Sequence, residues 1–142
     1  MTSRWDAEAA LPGRDGPEPD GCGTERFAVE VRPVTGAVVV ALSGELDYDT
    51  ADPLRAALEG ALAGAGPTRL VVDCAGLRFC DSTGLNVLLR ARLAARATGG
   101  SVELAEVPDQ AARLFRVTGA DQVFPVHTDV DAALSGSGAA PS

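Results

Sequence analysis

The chain of 142 residues contains no lysine, a single histidine and few aromatic side chains, which make up only 4% of the residues. All twelve basic residues are therefore arginines, and twenty acidic residues give a net charge of -8. An acidic chain without a basic stripe disfavours direct binding to nucleic acid or to anionic lipid. The scarcity of aromatic residues means that a hydrophobic core must consist mainly of Leu, Val and Ala.

Further absences narrow the possible functions. No apolar run approaches the roughly 20 residues of a membrane span, and the N-terminus lacks the apolar segment of a secretory signal. The sequence therefore predicts a cytoplasmic protein that does not bind a membrane. Three cysteines without CxxC spacing form no disulfide framework; Cys74 and Cys80 are predicted to be small buried side chains, and Cys22 falls in a flexible segment. Because the Walker A lysine and the GxGxxG motif are both absent, no nucleotide cofactor is predicted.

The chain is long enough for one domain with its own core. Residues 1–26 are rich in Gly, Pro, Asp and Glu, which predicts a disordered acidic leader. Residues 27–134 carry the periodic apolar pattern of a folded domain. Residues 135–142, SGSGAAPS, are typical of a flexible tail.

Apolar periodicity predicts alternating strands and helices in the domain. The order β-β-α-β-α-β-α-β-α indicates an α/β fold with a largely parallel sheet, an N-terminal β-hairpin and about four packed helices. The predicted elements are strands at 27–32 and 37–43, a helix capped by Asp49 or Thr50 that ends near Gly64, a strand at 69–73 with a turn at Ala75 and Gly76, a helix at 85–97, a strand around Val102 and Leu104, a helix from Pro108 to Gly119, a strand at 123–126 and a last short helix.

The run from Asp81 to Leu85, DSTGL, joins an apolar strand to a helix. Unpaired N–H groups and the helix dipole favour negative charge at such a junction. Ser82 is therefore either a helix cap, worth about 1 kcal/mol, or a site where a phosphate is added and removed. Asp81 already offers a cap, so two adjacent side chains compete for one role, while Thr83 and Gly84 keep the junction polar and open.

A catalytic role for Ser82 is disfavoured. A serine nucleophile needs an adjacent base, usually histidine, held by a third group. The single histidine, His127, follows the last predicted strand, and the GxSxG elbow is absent. The sequence therefore predicts no catalytic residue, and a small hydrolase or phosphatase is the disfavoured alternative.

Several acidic residues fall in or near loops that follow predicted strands, and parallel strands bring such loops to one edge of a sheet. A Mg²⁺ site is one outcome, but helix capping and solvation are favoured, and no metal is predicted. Tyr48, between two aspartates, is either a turn residue or an exposed interface anchor. The acidic residues concerned are Asp47, Asp49, Asp73 and Asp81.

These motifs together resemble those of the STAS-domain anti-sigma factor antagonists, also called anti-anti-sigma factors. The matching segments are GELDYDTA at 44–51, RLVVDCAGLRFCDSTGL at 69–85 and the helix that follows. The pattern of the second half matches as well, so the resemblance covers about residues 27–134. It implies the STAS fold and a protein that serves as a substrate and a binding module, not as an enzyme.

The resemblance also implies a switch at Ser82, as the phosphoacceptor. The unphosphorylated form would bind an anti-sigma factor that is a serine kinase and so free a sigma factor; phosphorylation with ATP would end that binding, and a serine phosphatase would reset it. Asn86 stands where many relatives carry Gly. A STAS scaffold or subunit of a signalling or lipid-transport complex is the alternative. The residues expected to bind the partner are Asp47, Tyr48, Asp81, Thr83, Gly84, Leu85 and Asn86.

Overall fold

A computed structural model describes residues 26–64 and 66–135. The predicted leader, residues 1–26 with Cys22, lies outside these residues except for Arg26. The predicted tail, residues 135–142, lies outside them except for Ser135, which ends the last helix. The described part contains five strands and four α-helices, in the predicted order. Their bounds are β1 Phe27–Val34, β2 Ala37–Leu46, α1 Ala51–Leu62, β3 Arg69–Cys80, α2 Ser82–Ala97, β4 Ser101–Ala105, α3 Asp109–Thr118, β5 Val126–His127 and α4 Val130–Ser135.

The strands form one sheet in the order β1-β2-β3-β4-β5. β1 and β2 are antiparallel and pair from Phe27 opposite Gly44 to Val34 opposite Ala37, whereas the later strands pair in parallel. Gly36, with a φ of 82°, turns the hairpin in a conformation that favours glycine. The predicted α/β fold with its N-terminal hairpin is thereby confirmed.

The larger part of the core lies between the sheet and helices α1 to α3. Leu54, Leu88 and Phe115, one from each helix, are at most 1% exposed there. Burying one such side chain is worth about 1.5–3 kcal/mol. A smaller cluster lies on the opposite face of the sheet, where Ala133 of α4 packs against Val39 and Val71. The core is built mainly from Leu, Val and Ala, as the composition predicts.

Both described cysteines are fully buried, which confirms their prediction as core side chains. Burial raises the pKa of the Cys74 thiol and of the Cys80 thiol to about 12. Because the thiolate is the reactive form, neither side chain is poised for redox or nucleophilic chemistry at neutral pH.

The third strand is longer than predicted, and the predicted turn at Ala75 and Gly76 is wrong. β3 continues through both residues to Cys80, while its register with β2 shifts between Ala41 and Ser43. A Cβ on Gly76 would lie 2.9 Å from the carbonyl oxygen of Leu42. The glycine therefore permits a close approach of two strands at an irregularity, and does not reverse the chain.

The last strand is also displaced from its prediction at 123–126. A 3₁₀ turn at Ala120–Gln122 follows α3, and Phe124 after it is buried, 3% exposed. Strand pairing is confined to Val126 and His127. The apolar residues at 123–126 therefore contribute to the core through Phe124, and only the last of them pairs in the sheet. Among the described residues, no helix is both long enough and apolar enough to cross a membrane.

Candidate functional site

The first turn of α2 is held at the end of β3 by Asp81, which caps the helix. Its Oδ1 accepts hydrogen bonds from the N–H groups of Thr83, at 2.9 Å, and Gly84, at 3.2 Å. The Asp81 N–H donates to the carbonyl oxygen of Leu46 at 3.1 Å. Because Asp81 is the cap, Ser82 is not. The Ser82 side chain is exposed, and within residues 26–64 and 66–135 no group hydrogen-bonds its hydroxyl.

Gly84 and Leu85 lie beneath this turn, inside the protein's own core. A Cβ on Gly84 would stand 2.5 Å from Cγ of Leu46 and 3.2 Å from Sγ of Cys80. The Leu85 side chain is only 4% exposed. Both residues therefore shape the site from below, and their contact with a partner stays a prediction.

Asn86 is exposed one helical turn after Ser82, so the two side chains share a face of α2. Thr83 beside them is half-buried. Leu93 continues the same face three turns from Ser82 and is 64% exposed, although it is a large apolar side chain. The exposed face of α2 therefore runs from Ser82 to an exposed leucine.

The loop between β2 and α1 lies beside the Ser82 turn, because Leu46 and Cys80 are paired in the sheet. Thr50 shapes this loop: its hydroxyl donates to the carbonyl oxygen of Glu45 at 2.7 Å and accepts from the Asp47 N–H at 2.9 Å. Thr50 stands at the N-cap position of α1, but neither it nor Asp49 makes the predicted side-chain cap.

Tyr48 at the tip of this loop is 80% exposed. Phe79, near the end of β3, is 40% exposed, whereas the other aromatic side chains of the described residues are buried. Tyr48 thus lies in the loop beside the Ser82 turn, and Phe79 precedes Ser82 by three residues along the chain. The sequence analysis missed Phe79, because it predicted that the strand ends at residue 73.

Arg26 brings a positive charge to the acidic loop. Its guanidinium pairs with Asp47, with Glu45 at 3.4 Å and with Asp49 at 3.9 Å. Desolvation favours the neutral form of Asp47, but the hydrogen bond from the Asp49 N–H and the charge of Arg26 outweigh it and hold the pKa of Asp47 below its usual value. The sequence analysis missed Arg26, because it lies about twenty residues away along the chain.

His127 and Asp73 lie away from this site. Asp73 pairs with Ala105 in the sheet, and Ala105 pairs with His127, so the three are at one level. Cys80 follows Asp73 by seven residues along β3, which at about 3.3 Å per residue is roughly 20 Å. The His127 ring instead bonds Glu103 at 2.9 Å. A Ser82–His127 catalytic pair is therefore ruled out by geometry.

The predicted acidic cluster is correspondingly smaller, since Asp73 does not join Asp47, Asp49 and Asp81. The Asp73 Oδ1 accepts a hydrogen bond from the Ala75 N–H at 3.0 Å. No group of three or more His, Cys, Asp or Glu side chains in the described residues is arranged to hold a metal ion.

Comparison with known proteins agrees with this architecture. The family model described as "Mlab, STAS domain" matches residues 29–127. The anti-sigma F factor antagonist of Paenibacillus polymyxa is 29% identical over 107 residues, which cover 75% of this chain and 92% of the relative. The crystal structure of an anti-sigma factor antagonist from Mycobacterium paratuberculosis superposes with a TM-score of 0.68 at 31% identity, over 78% of this chain and 92% of that one.

The unphosphorylated form of the anti-sigma factor antagonist SpoIIAA has the same fold. It superposes with a TM-score of 0.69 at 23% identity, over 81% of this chain and all of the other. The family match alone spans well over half of the chain. This chain therefore belongs to the STAS-domain family of anti-sigma factor antagonists.

Proposed function

We propose that the unphosphorylated chain binds an anti-sigma factor with serine kinase activity, in the cytoplasm, and thereby releases a sigma factor. The observation that carries this proposal is the exposed Ser82 hydroxyl, which the helix cap leaves unused. Relatives that bear the name anti-sigma factor antagonist support the class of partner. The chain is then a substrate of the kinase, and a serine phosphatase resets it.

The proposed contact surface surrounds this hydroxyl. Tyr48 supplies an exposed aromatic anchor on one side and Asn86 an exposed amide on the other. Asp47, Asp81 and the half-buried Thr83 complete the polar rim between them.

Phosphorylation of Ser82 would add a charge of about -1.5 to -2 at neutral pH. Within the chain this is tolerated, because the helix dipole favours it by about 0.3–1 kcal/mol. Asp81 already accepts from the Thr83 and Gly84 N–H groups, so the phosphate would gain little from those donors. The carboxylates of Asp81 and Asp47 would repel it. Because Ser82 is exposed, however, the phosphate stays in water, and the fold is expected to survive phosphorylation.

For a partner that covers the site, the phosphate is unfavourable. The partner must desolvate the phosphate next to carboxylates that Arg26 only partly neutralises. Every 1.4 kcal/mol or so of unfavourable free energy weakens the complex about tenfold. A local electrostatic change is therefore sufficient to release the partner, without a rearrangement of the fold.

Substitution of Ser82 tests this proposal. The anti-sigma factor is first captured from cell extract on the wild-type chain, then purified and titrated by calorimetry. Ser82→Asp should weaken binding at least about tenfold, with a native circular-dichroism spectrum, and Ser82→Ala should bind as the wild type does. Thr35→Asp, which adds the same charge in the exposed β1–β2 turn, is the matched control. Equal affinities of Ser82→Asp and Thr35→Asp would contradict the proposal.

Phosphorylation itself needs a separate measurement. The wild-type chain and Ser82→Ala are incubated with ATP and the captured anti-sigma factor, and the modified residue is mapped by mass spectrometry. We expect one phosphate, on Ser82, and none on the Ala variant. The alternative function, a STAS scaffold or subunit of a signalling or lipid-transport complex, predicts no kinase among the captured proteins and no phosphate on Ser82.

A further inference from the structure

Strand β3 extends beyond its neighbour β4. The two pair only from Arg69 opposite Ser101 to Asp73 opposite Ala105. In the described residues, the last part of β3, residues 74–80, therefore has no strand on that side. Cys80 at its end is fully buried, and a buried backbone N–H or C=O without a partner is costly.

The side chain of Gln110 fills this position. Its Oε1 accepts a hydrogen bond from the Cys80 N–H at 2.8 Å, and its Nε2 donates to the Cys80 carbonyl oxygen at 2.9 Å. The amide group thus makes both bonds that a neighbouring strand would make. Gln110 lies in the first turn of α3, so these bonds tie the start of that helix to the end of β3.

The residue held in this way immediately precedes the Ser82 turn. On one side Cys80 is fixed by Gln110, and on the other the Asp81 N–H is fixed by the carbonyl oxygen of Leu46 at 3.1 Å. Asp81 in turn caps α2. We propose that Gln110 is a positioning residue for the Ser82 turn, which presents the serine hydroxyl to the kinase and the partner; this functional part rests on the function proposed above.

Gln110 does not contribute to the packing of the core, so its role at Cys80 can be tested on its own. The residue is exposed, whereas Ala111 and Phe115 bury the opposite face of α3 in the core. Removing the Gln110 amide therefore opens no cavity, and α3 keeps its apolar contacts. Gln122, also exposed and without a side-chain hydrogen bond in the described residues, provides a matched control for substitution.

Amide hydrogen exchange and backbone NMR shifts of the full chain test the positioning without any partner. In Gln110→Ala the Cys80 amide should exchange at least about tenfold faster, because its acceptor is lost, and the amide shifts of Asp81, Ser82 and Thr83 should move. Gln110→Glu keeps an acceptor for the Cys80 N–H but sets a carboxylate oxygen against the Cys80 carbonyl oxygen, so it should restore the protection of the Cys80 amide only in part. Gln122→Ala should change neither observable.

Three outcomes would overturn the proposal. They are unchanged Cys80 exchange in Gln110→Ala, shift changes that stop at α3 without reaching Ser82, and no recovery of protection in Gln110→Glu. The functional part is tested by titrating the captured anti-sigma factor: Gln110→Ala should bind at least about fivefold more weakly than Gln122→Ala, about 1 kcal/mol. Equal binding of these two variants, where Ser82→Asp does weaken binding, would overturn the functional role. If Ser82→Asp has no effect either, the proposed function fails, and exchange and shifts alone decide whether Gln110 positions the turn.

Discussion

At the scale of single residues, the charge of the candidate site depends on Arg26. One guanidinium faces the carboxylates of Glu45, Asp47 and Asp49, while the Asp47 Oδ1 also accepts from the Asp49 N–H at 2.9 Å. Arg26 lies before the segment 29–127 that matches the family model. The local charge of this site is therefore set partly by a residue outside the matched segment.

Replacing Arg26 should change the titration of Asp47. In Arg26→Gln the pKa of Asp47 should rise, because the favourable charge is removed while desolvation remains. A carboxyl whose folded-state pKa is depressed contributes stability above its unfolded pKa, and this is lost as the pH falls through the folded pKa. That contribution should be smaller in the variant.

The measurement is an NMR titration of the Asp47 carboxyl carbon. Arg32→Gln, which removes an exposed arginine from β1, is the control and should leave the titration unchanged. The same Asp47 titration in Arg26→Gln as in the wild type would show that the ion pair has no influence in solution.

At the scale of elements, the site depends on how closely α2 approaches β2. Gly84→Ala would place a methyl group 2.5 Å from Cγ of Leu46, which is fully buried. Such overpacking should lower the free energy of unfolding by about 1–3 kcal/mol. The matched change Gly60→Ala in α1 meets no atom within 4 Å and should raise it by about 0.5–1 kcal/mol. Urea denaturation checks both values, and equal effects would contradict the close packing.

The exposed face of α2 yields a second prediction at this scale, conditional on the proposed function. Leu93 shares the face of Ser82 and is 64% exposed. Leu93→Asp should weaken binding of the captured anti-sigma factor at least about fivefold, because a charge replaces an apolar contact near a buried interface. Val117→Asp, at a 79% exposed site on α3, is the control. Equal affinities in calorimetry would confine the interface to the first turns of α2.

At the scale of the whole molecule, a buried carboxylate links several strands of the sheet to the last helix. Glu103 of β4 is 9% exposed and accepts from Arg69 of β3 at 2.7 and 2.8 Å and from His127 of β5 at 2.9 Å. Arg69 also donates to the carbonyl oxygen of Ala133 in α4 at 2.7 Å. One network thus links three strands and the last helix.

Removal of this carboxylate should destabilise the fold in a pH-dependent way. The hydrogen bonds from Arg69 outweigh desolvation and hold the pKa of Glu103 below its ordinary value. At neutral pH, Glu103→Gln should cost about 2–3 kcal/mol, since Arg69 loses its ionised partner. Because the wild-type contribution is lost as the pH falls through the depressed pKa, the difference should shrink as the pH is lowered from neutral into the acid range.

Urea denaturation of both proteins across this pH range measures the effect. Glu30→Gln, which changes an exposed residue of β1, should alter stability by less than about 0.5 kcal/mol. A cost of Glu103→Gln that stays constant from neutral to acid pH would contradict a role for the ionised carboxylate.

The sequence predicted the features that neighbouring residues determine and missed those that depend on contacts between distant residues. The hairpin of β1 and β2 and the buried cysteines were predicted, because apolar alternation and residue size act locally. The continuation of β3 past Gly76 was not, because that glycine is required by the approach of Leu42 on another strand. The sequence left the role of helix cap open between Asp81 and Ser82, and hydrogen-bond geometry decided that Asp81 is the cap.

The sequence by itself determined the α/β order, the composition of the core and the family motifs around Ser82, since all of these are encoded in neighbouring residues. Only the tertiary structure decided which polar groups meet. Arg26 reaches Asp47, Gln110 reaches Cys80, and His127 is kept away from Ser82. Such contacts join residues about twenty or more positions apart, and their partners depend on strand register and helix placement, which no local pattern specifies.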